Sequence, residues 1–262
     1  MSSYFSTSLK FGLFFISCSL SVSSAYSQTR VKLGVSEFPP YVIFEGNKVS
    51  GIDIMLVNIL MSKLSLKIEY VRCPWKRCLD LMKQGKIDML TGVFRRPDRE
   101  QYLQYITPHY VQAENAFYIP KGSRLKIEEY SDLHHLRIGL ERGSQMFEPF
   151  DSDQQLTKFE VSKMIQAIRM TKLGRLDTFI GATIPTEYLL LQANLHTEFR
   201  RAKFVYIDKG AQGYFVISKK SEFAKDLENF NKVLYEMKNK GTIEEIFKLF
   251  SQGGVVPEFS MN

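Results

Sequence analysis

Apolar positions recur with two different periods along this chain. In "VKLGVS" they alternate at Val31, Leu33 and Val35, which predicts a half-buried strand. The two prolines of "EFPPY" end it. "GIDIMLVNILMSKL" then sets Ile54, Val57, Leu60, Met61 and Leu64 at helical spacing. "LKIEYV" returns to strand spacing. "PWKRCLDLMKQG" predicts a helix, with Pro74 suited to its first turn and Gly85 to its end. "KIDMLTGV" predicts a further strand. Alternating β and α elements of this length imply an α/β fold with parallel strands and crossover helices.

The plan is echoed further on. "LMKQGKIDML" and "MTKLGRLDTF" share a helix end, a stopping Gly, a cation, an apolar residue, Asp and then a strand. Each has its own starter strand upstream, "VKLGVS" and "LRIGLE". Two lobes on one plan explain this better than one continuous sheet. Near the C-terminus, "FAKDLENFNKVLYEMKNKGTIEEIFKLF" is amphipathic and helical, with Gly241 as punctuation. No Gly/Ser linker separates the lobes. The extended segments "ENAFYIP" and "KGAQGYFVIS" are the natural crossings between them.

The first residues carry a different signal. Lys10 precedes the short apolar run "FGLFFISCSL", and small residues follow in "SVSSAYS". That order predicts a secretory signal peptide over residues 1–27, with Ala25 and Ser27 at the cleavage site and Gln28 as the mature start. The run is too short to span a bilayer. Cleavage would take Lys10, the one charge in the segment, so the net charge falls from +7 to +6. It would also take Cys18 and leave Cys73 and Cys78. In an exported chain such a pair reads as a disulfide.

Candidate chemistry narrows the function. His109, His134, His135 and His196 show no metal-ligand spacing, so no metal site is expected. Ser144 in "ERGSQ" lacks a nucleophile elbow. No glycine-rich loop fits a phosphate, and the basic residues are not interleaved with aromatics as in RNA binders. Catalysis, cofactors and nucleic acid have no positive support. A small-anion clamp has more. "GVFRRPDRE" carries Arg95, Arg96 and Arg99. A guanidinium can bond a carboxylate twice, and Arg99 follows "RPD", where a strand ends and the chain turns toward a helix. Strand ends are where ligands sit in open α/β sheets. Phe38 and Trp75 serve either as apolar walls of a site or as ordinary core. Arg95 and Arg96 read as solvated cations.

These pieces, in order, carry a resemblance. "FPPY" followed by "GIDIMLV", "LMKQGKIDML", Arg99 ahead of Tyr105 and Tyr110, "LRIGLERGS", "GRLDTF" and "YEMKNKGTIEEIFKLF" resemble the periplasmic solute-binding proteins of the polar amino-acid type, family 3. The resemblance covers nearly all of the chain after the leader. It implies a two-lobed type II periplasmic binding protein with discontinuous lobes joined by two hinge strands. Lobe 1 is expected over 28–112 and 213–262, and lobe 2 over 113–212. It also implies that Arg99 binds a ligand carboxylate, with Phe38 stacking and Trp75 in apolar contact. Thr91 and Gly92 would lend polar contacts. Ser144 and Gln145 would lie at a lobe-2 helix N-terminus that meets the carboxylate. Arg77 is expected at the cleft beside Trp75.

The sequence departs from the family at Phe94 and Arg96, where hydroxyl residues usually help, and at Ala182, where an aspartate usually pairs with the α-amino group. The ligand is then a carboxylate without an α-amino group, or another residue compensates: Glu37 first, then Glu141 or Thr183. The expected function is capture of a small carboxylate-bearing solute for the membrane permease of an ABC importer, by a periplasmic monomer with no cofactor. Two alternatives share the fold: a dehydratase using Glu37 or Glu141 as general acid, and a ligand-sensing partner of a membrane receptor.

Overall fold

The computed structural model describes Met1, residues 30–254 and residues 256–261. The predicted leader after Met1, with Lys10, Cys18, Ala25 and Ser27, and the expected mature start at Gln28 lie outside the described residues. The first half runs β1 (Arg30–Val35), β2 (Ile43–Glu45), β3 (Lys48–Ser50), α1 (Ile52–Lys63), β4 (Lys67–Arg72), α2 (Trp75–Gln84), β5 (Met89–Phe94), the single turn α3 (Pro97–Glu100) and the long β6 (Leu103–Pro120). The second runs β7 (Arg137–Glu141), β8 (Thr157–Val161), α4 (Met164–Lys172), β9 (Thr178–Ala182), α5 (Thr183–Gln192) and the long β10 (Phe199–Ser218). Helices α6 (Leu227–Asn239) and α7 (Thr242–Ser251) and the short β11 (Phe259–Ser260) complete the chain.

The main sheet has the order β4-β1-β5-β10-β6-β9-β7-β8. Parallel β1, β4 and β5 form one lobe and parallel β7, β8 and β9 the other. Antiparallel β6 and β10 run through both and connect them. Both sequence-predicted crossings lie inside these two strands. In lobe 1, α1, α6 and α7 cover one face of the sheet, around Leu33, Leu60, Phe215 and Phe230. Helix α2 covers the other, around Cys78, Met82 and Val93.

The repeated plan in the sequence is a repeated structure. Gly85 ends α2 and Gly174 follows α4, at φ 74° and 70°. Only glycine adopts that region without strain. Asp88 then accepts from the Lys32 N–H at 2.8 Å, and Asp177 from the Arg137 N–H at 2.7 Å. Each aspartate locks the helix-to-strand junction onto the start of its lobe's first strand. The starter strands match as well. A Cβ on Gly34 would come within 2.6 Å of Ile87 and Leu90, and one on Gly139 within 2.6 Å of Leu176. Both glycines let the following helix–strand unit pack close.

One expected helix is absent. Residues 142–156 form turns, so Ser144 and Gln145 do not stand at a helix N-terminus. Pro149 removes a donor there, and the Asp151 carboxylate takes the Met146 N–H at 3.0 Å. Aromatic packing replaces the helix: Phe147 stacks on Tyr206 at 4.2 Å and meets Phe150 at 5.5 Å.

Gly51 sets the entry to α1. Its φ of 125° is open only to glycine, and a Cβ there would strike the Tyr41 carbonyl. That close approach lets the Ile52 and Asp53 N–H groups donate to the carbonyls of Pro40 and Tyr41, both at 3.0 Å. The loop that carries Phe38 and Tyr41 is thereby docked on the free donors of a helix N-terminus. Gly51→Ala should cost at least about 3 kcal/mol, since strain and collision add. Urea unfolding measures this, and a loss under about 1 kcal/mol, the centre of the range for point substitutions in general, would contradict it.

Candidate ligand-binding cleft

The C-terminal ends of β1, β5 and β9 converge on a cavity of about 890 Å³ between the lobes. This is the position that open α/β sheets reserve for ligands. Lobe 1 contributes Glu37, Phe38, Tyr41, Asp53, Trp75, Thr91, Gly92, Phe94 and Arg99 to its lining. Lobe 2 contributes Ala182, Thr183 and Glu187, the crossing strands Glu114 and Arg201, and α7 Phe247 and Lys248. Of the sequence-predicted residues, Arg99, Phe38, Trp75, Thr91, Gly92 and Glu37 are brought together here. Arg77 is exposed on α2 and absent from the lining, as are Ser144 and Gln145. The Ser144 hydroxyl bonds the Glu141 carbonyl instead.

The three neighbouring arginines have different fates. Arg95 lies over the rings of Tyr105 and Tyr214, at 4.8 and 5.3 Å, with Glu100 at 3.6 Å. Arg96 pairs with Asp98 at 3.1 Å. Arg99 has no acidic partner among the described residues. The turn α3 returns it toward the cavity, where Nη1 donates to the Phe94 carbonyl at 3.0 Å. The guanidinium carbon lies 5.9 Å from the Trp75 ring centre. One edge of the fork is thus positioned, and the rest stays available to an anion.

The aromatic wall is held by ring contacts within the fold. Phe38 is 59 % exposed yet stacks on Tyr41 at 5.4 Å with planes 9° apart. Tyr41 meets the edge of Phe247 at 6.4 Å. Trp75 is held by the strand-to-helix turn that the Cys73–Cys78 disulfide closes. The pairing expected from the sequence is present.

Asp53 is the residue that sequence reasoning missed. The helical pattern of "GIDIMLV" places it beside the first apolar positions, and nothing local marks it as part of a site. In the fold it is 3 % exposed and lines the cavity floor. The Tyr110 hydroxyl donates to it at 2.7 Å. Burial pushes its carboxyl up to about 7, against the pull of its hydrogen bonds from Tyr110 and Thr91. Burial also raises Tyr110, and the adjoining Asp53 adds to this. Glu114 and Glu187 were missed as well, because their place depends on how lobe 2 meets lobe 1. The Glu141 carboxylate caps the Met164 N–H at 2.8 Å and lies outside the lining. It is therefore not available as a compensating acid. No group of three or more metal-ligating side chains occurs among the described residues.

Two α/β lobes around a cavity with one uncommitted arginine at the strand ends define a bilobal solute-binding protein. The chain belongs to the bacterial extracellular solute-binding proteins, family 3, whose family model matches residues 31–252. It is similar to the arginine-binding extracellular protein ArtP of Bacillus subtilis, 24 % identical over 247 residues, covering 90 % of this chain and 92 % of that one. Its fold is that of the second substrate-binding domain of Lactococcus lactis GlnP in open conformation. That match has a TM-score of 0.71 at 17 % identity, over 86 % of this chain and 96 % of that domain. The unliganded, open L-cystine solute receptor of Neisseria gonorrhoeae matches with the same TM-score at 15 % identity, over 86 % and 94 %. These relatives are binding proteins, and the dehydratase alternative finds no support among them.

Two measurements follow from the site. Native Asp53 keeps its proton to about pH 7, whereas the unfolded chain loses it in the usual carboxylate range. The folded state binds the extra proton, so this group lowers stability as pH rises from about 4 to about 7, by on the order of 4 kcal/mol, and the loss is complete above that window. Asp53→Asn should remove that component. The melting-temperature difference between variant and wild type should grow with pH across the window, and a flat difference would refute the assignment. For the disulfide, Cys73→Ala with Cys78→Ala should cost about 2 kcal/mol in urea unfolding, the chain-entropy value for so short a loop. A loss twice that size would mean that the bridge holds more than its turn.

Proposed function

We propose that this protein captures a small carboxylate-bearing solute, an amino acid or a related organic acid, and delivers it to an ABC-type importer. Arg99 carries the reading. It is the one arginine of its cluster left without an acid, and it sits at the strand ends beside exposed aromatic rings. The arginine- and L-cystine-binding names of the relatives favour an amino acid over other acids. The family's extracellular character favours a periplasmic location after cleavage at residue 27, with a monomeric receptor meeting a membrane permease.

Closure is a population shift. The open form samples closure, and a ligand stabilises the closed form by touching both lobes. We place the hinge where lobe 1 (28–112 and 213–262) meets lobe 2 (113–212). The β6–β10 ladder supports this choice: its register shifts at Arg201/Val205, Ile207/Gln212 and Gly213/Phe215, and the last two flank the 112/212 boundary.

A thermal-shift screen of polar amino acids and small organic acids should give a hit, because a ligand stabilises by RT ln(1 + [L]/Kd). With that hit, Arg99→Ala should lose roughly 2–5 kcal/mol of binding by calorimetry, the range for removing one side of a desolvated charge pair. Arg99→Lys should also bind clearly more weakly, because a point charge cannot reproduce the fork. Arg95→Ala and Arg96→Ala should change little. Unchanged binding by Arg99→Ala would overturn the proposal.

A further inference from the structure

The cavity's charges are not distributed at random. Arg201 is paired with Glu114 at 2.8 Å, and the same Glu114 oxygen accepts from the Thr183 hydroxyl at 2.8 Å. Both charges are therefore spent on each other. Asp53 is held by Tyr110 and Thr91 and resists ionisation. Glu37 and Glu244 are exposed at the rim. Glu187 alone is a half-buried carboxylate of the lining with no hydrogen bond or ion pair among the described residues.

Its position follows from local structure. Strand β9 runs directly into α5, with Ala182 as the residue before the first turn. Thr183, Ile184 and Glu187 share one face at helical spacing, and all three line the cavity. Glu187 therefore stands one turn beyond Thr183, the residue after the uncharged Ala182, and lines the same cavity. Burial raises its carboxyl, with Arg201 pulling the other way and Glu114 adding to the rise. An unpaired, partly desolvated carboxylate is unfavourable until a cation meets it.

We propose that Glu187 anchors a cationic nitrogen of the ligand, so that the cleft takes a dipolar solute with its carboxylate on Arg99 of lobe 1 and its ammonium on Glu187 of lobe 2. This rests on the reading of Arg99 as the carboxylate anchor. It replaces Glu37, Glu141 and Thr183 as the compensator for Ala182. Glu37 is exposed, Glu141 caps α4, and the Thr183 hydroxyl is committed to Glu114. A ligand held at both ends by different lobes also gives closure its driving force.

The test is calorimetric titration of wild type, Glu187→Gln and Arg99→Ala with three probe sets. These are polar L-amino acids, the matching des-amino acids that keep the carboxylate, and the matching decarboxylated amines. Wild type should bind an amino acid at least tenfold more tightly than either of its halves. Glu187→Gln should erase that advantage over the des-amino acid and leave the des-amino acid's own affinity within about twofold. Unliganded Glu187→Gln should melt no lower than wild type, because no native partner is lost. If des-amino acids bind wild type as tightly as amino acids, through Arg99 and regardless of residue 187, the ammonium anchor is wrong and the carboxylate clamp stands. If no probe binds, or binding ignores Arg99, the clamp fails and the anchor with it.

Discussion

The cleft depends on one buried hydrogen bond, from the Tyr110 hydroxyl to Asp53 at 2.7 Å. Asp53 belongs to the first turn of α1, whose N–H groups hold the loop of Phe38 and Tyr41. Tyr110 belongs to β6, one of the two strands that cross between lobes, and stacks on Phe215 of the other at 4.2 Å with planes 12° apart. Thr91 ties in the middle of β5, the strand that leads toward Arg99. A single buried acid thus joins the aromatic wall, the strand leading to the Arg99 turn, and the two strands that cross between lobes. A buried carboxylate is tolerable only where its oxygens are satisfied, so any shift of these elements exposes an unpaired group. That requirement favours a fixed arrangement of these elements at the floor of the cleft.

Most of the fold was legible because its signals are local. "PWKRCLDLMKQG" and "KIDMLTGV" became α2 and β5 because amphipathic spacing and the stopping Gly85 act within a few residues. The repeated Gly–cation–apolar–Asp junction was also local, and Asp88 and Asp177 bond equivalent strand starts in the two lobes. Pro74 fell just before α2, at the cap and not within the first turn. The failure at Ser144 and Gln145 has a physical origin. A helix expected there needs free N–H groups and a continuous apolar stripe. Pro149 and the Asp151 side chain instead commit the backbone to turns, and aromatic rings supply the burial.

The site divides along the same line. Arg99 could be read from its place after "RPD", and the ion pairs of Arg95 and Arg96 are formed with acids a few residues away. Asp53 and Glu187 could not be so read. One sits in a helical pattern where a first-turn acid is ordinary capping chemistry. The other gains meaning only when α5 is brought across the cavity from Arg99. Charges whose role depends on long-range assembly leave no trace in local spacing.

The separation of those two charges decides what can drive closure. A ligand held by one lobe alone would bind open and closed forms equally and shift nothing, however tight its contact. In the proposed mode of capture, the aromatic wall and Arg99, both of lobe 1, load the open form without closing it. The Glu187 carboxylate lines the cavity from lobe 2, and in the proposed mode its pairing with a ligand cation becomes available as the lobes approach. Excluding water from a closing cavity strengthens such a pair relative to its value in the open form. On that proposal the lobe-1 contacts set which solutes enter, and the lobe-2 carboxylate sets which of them turn an occupied cleft into a closed one.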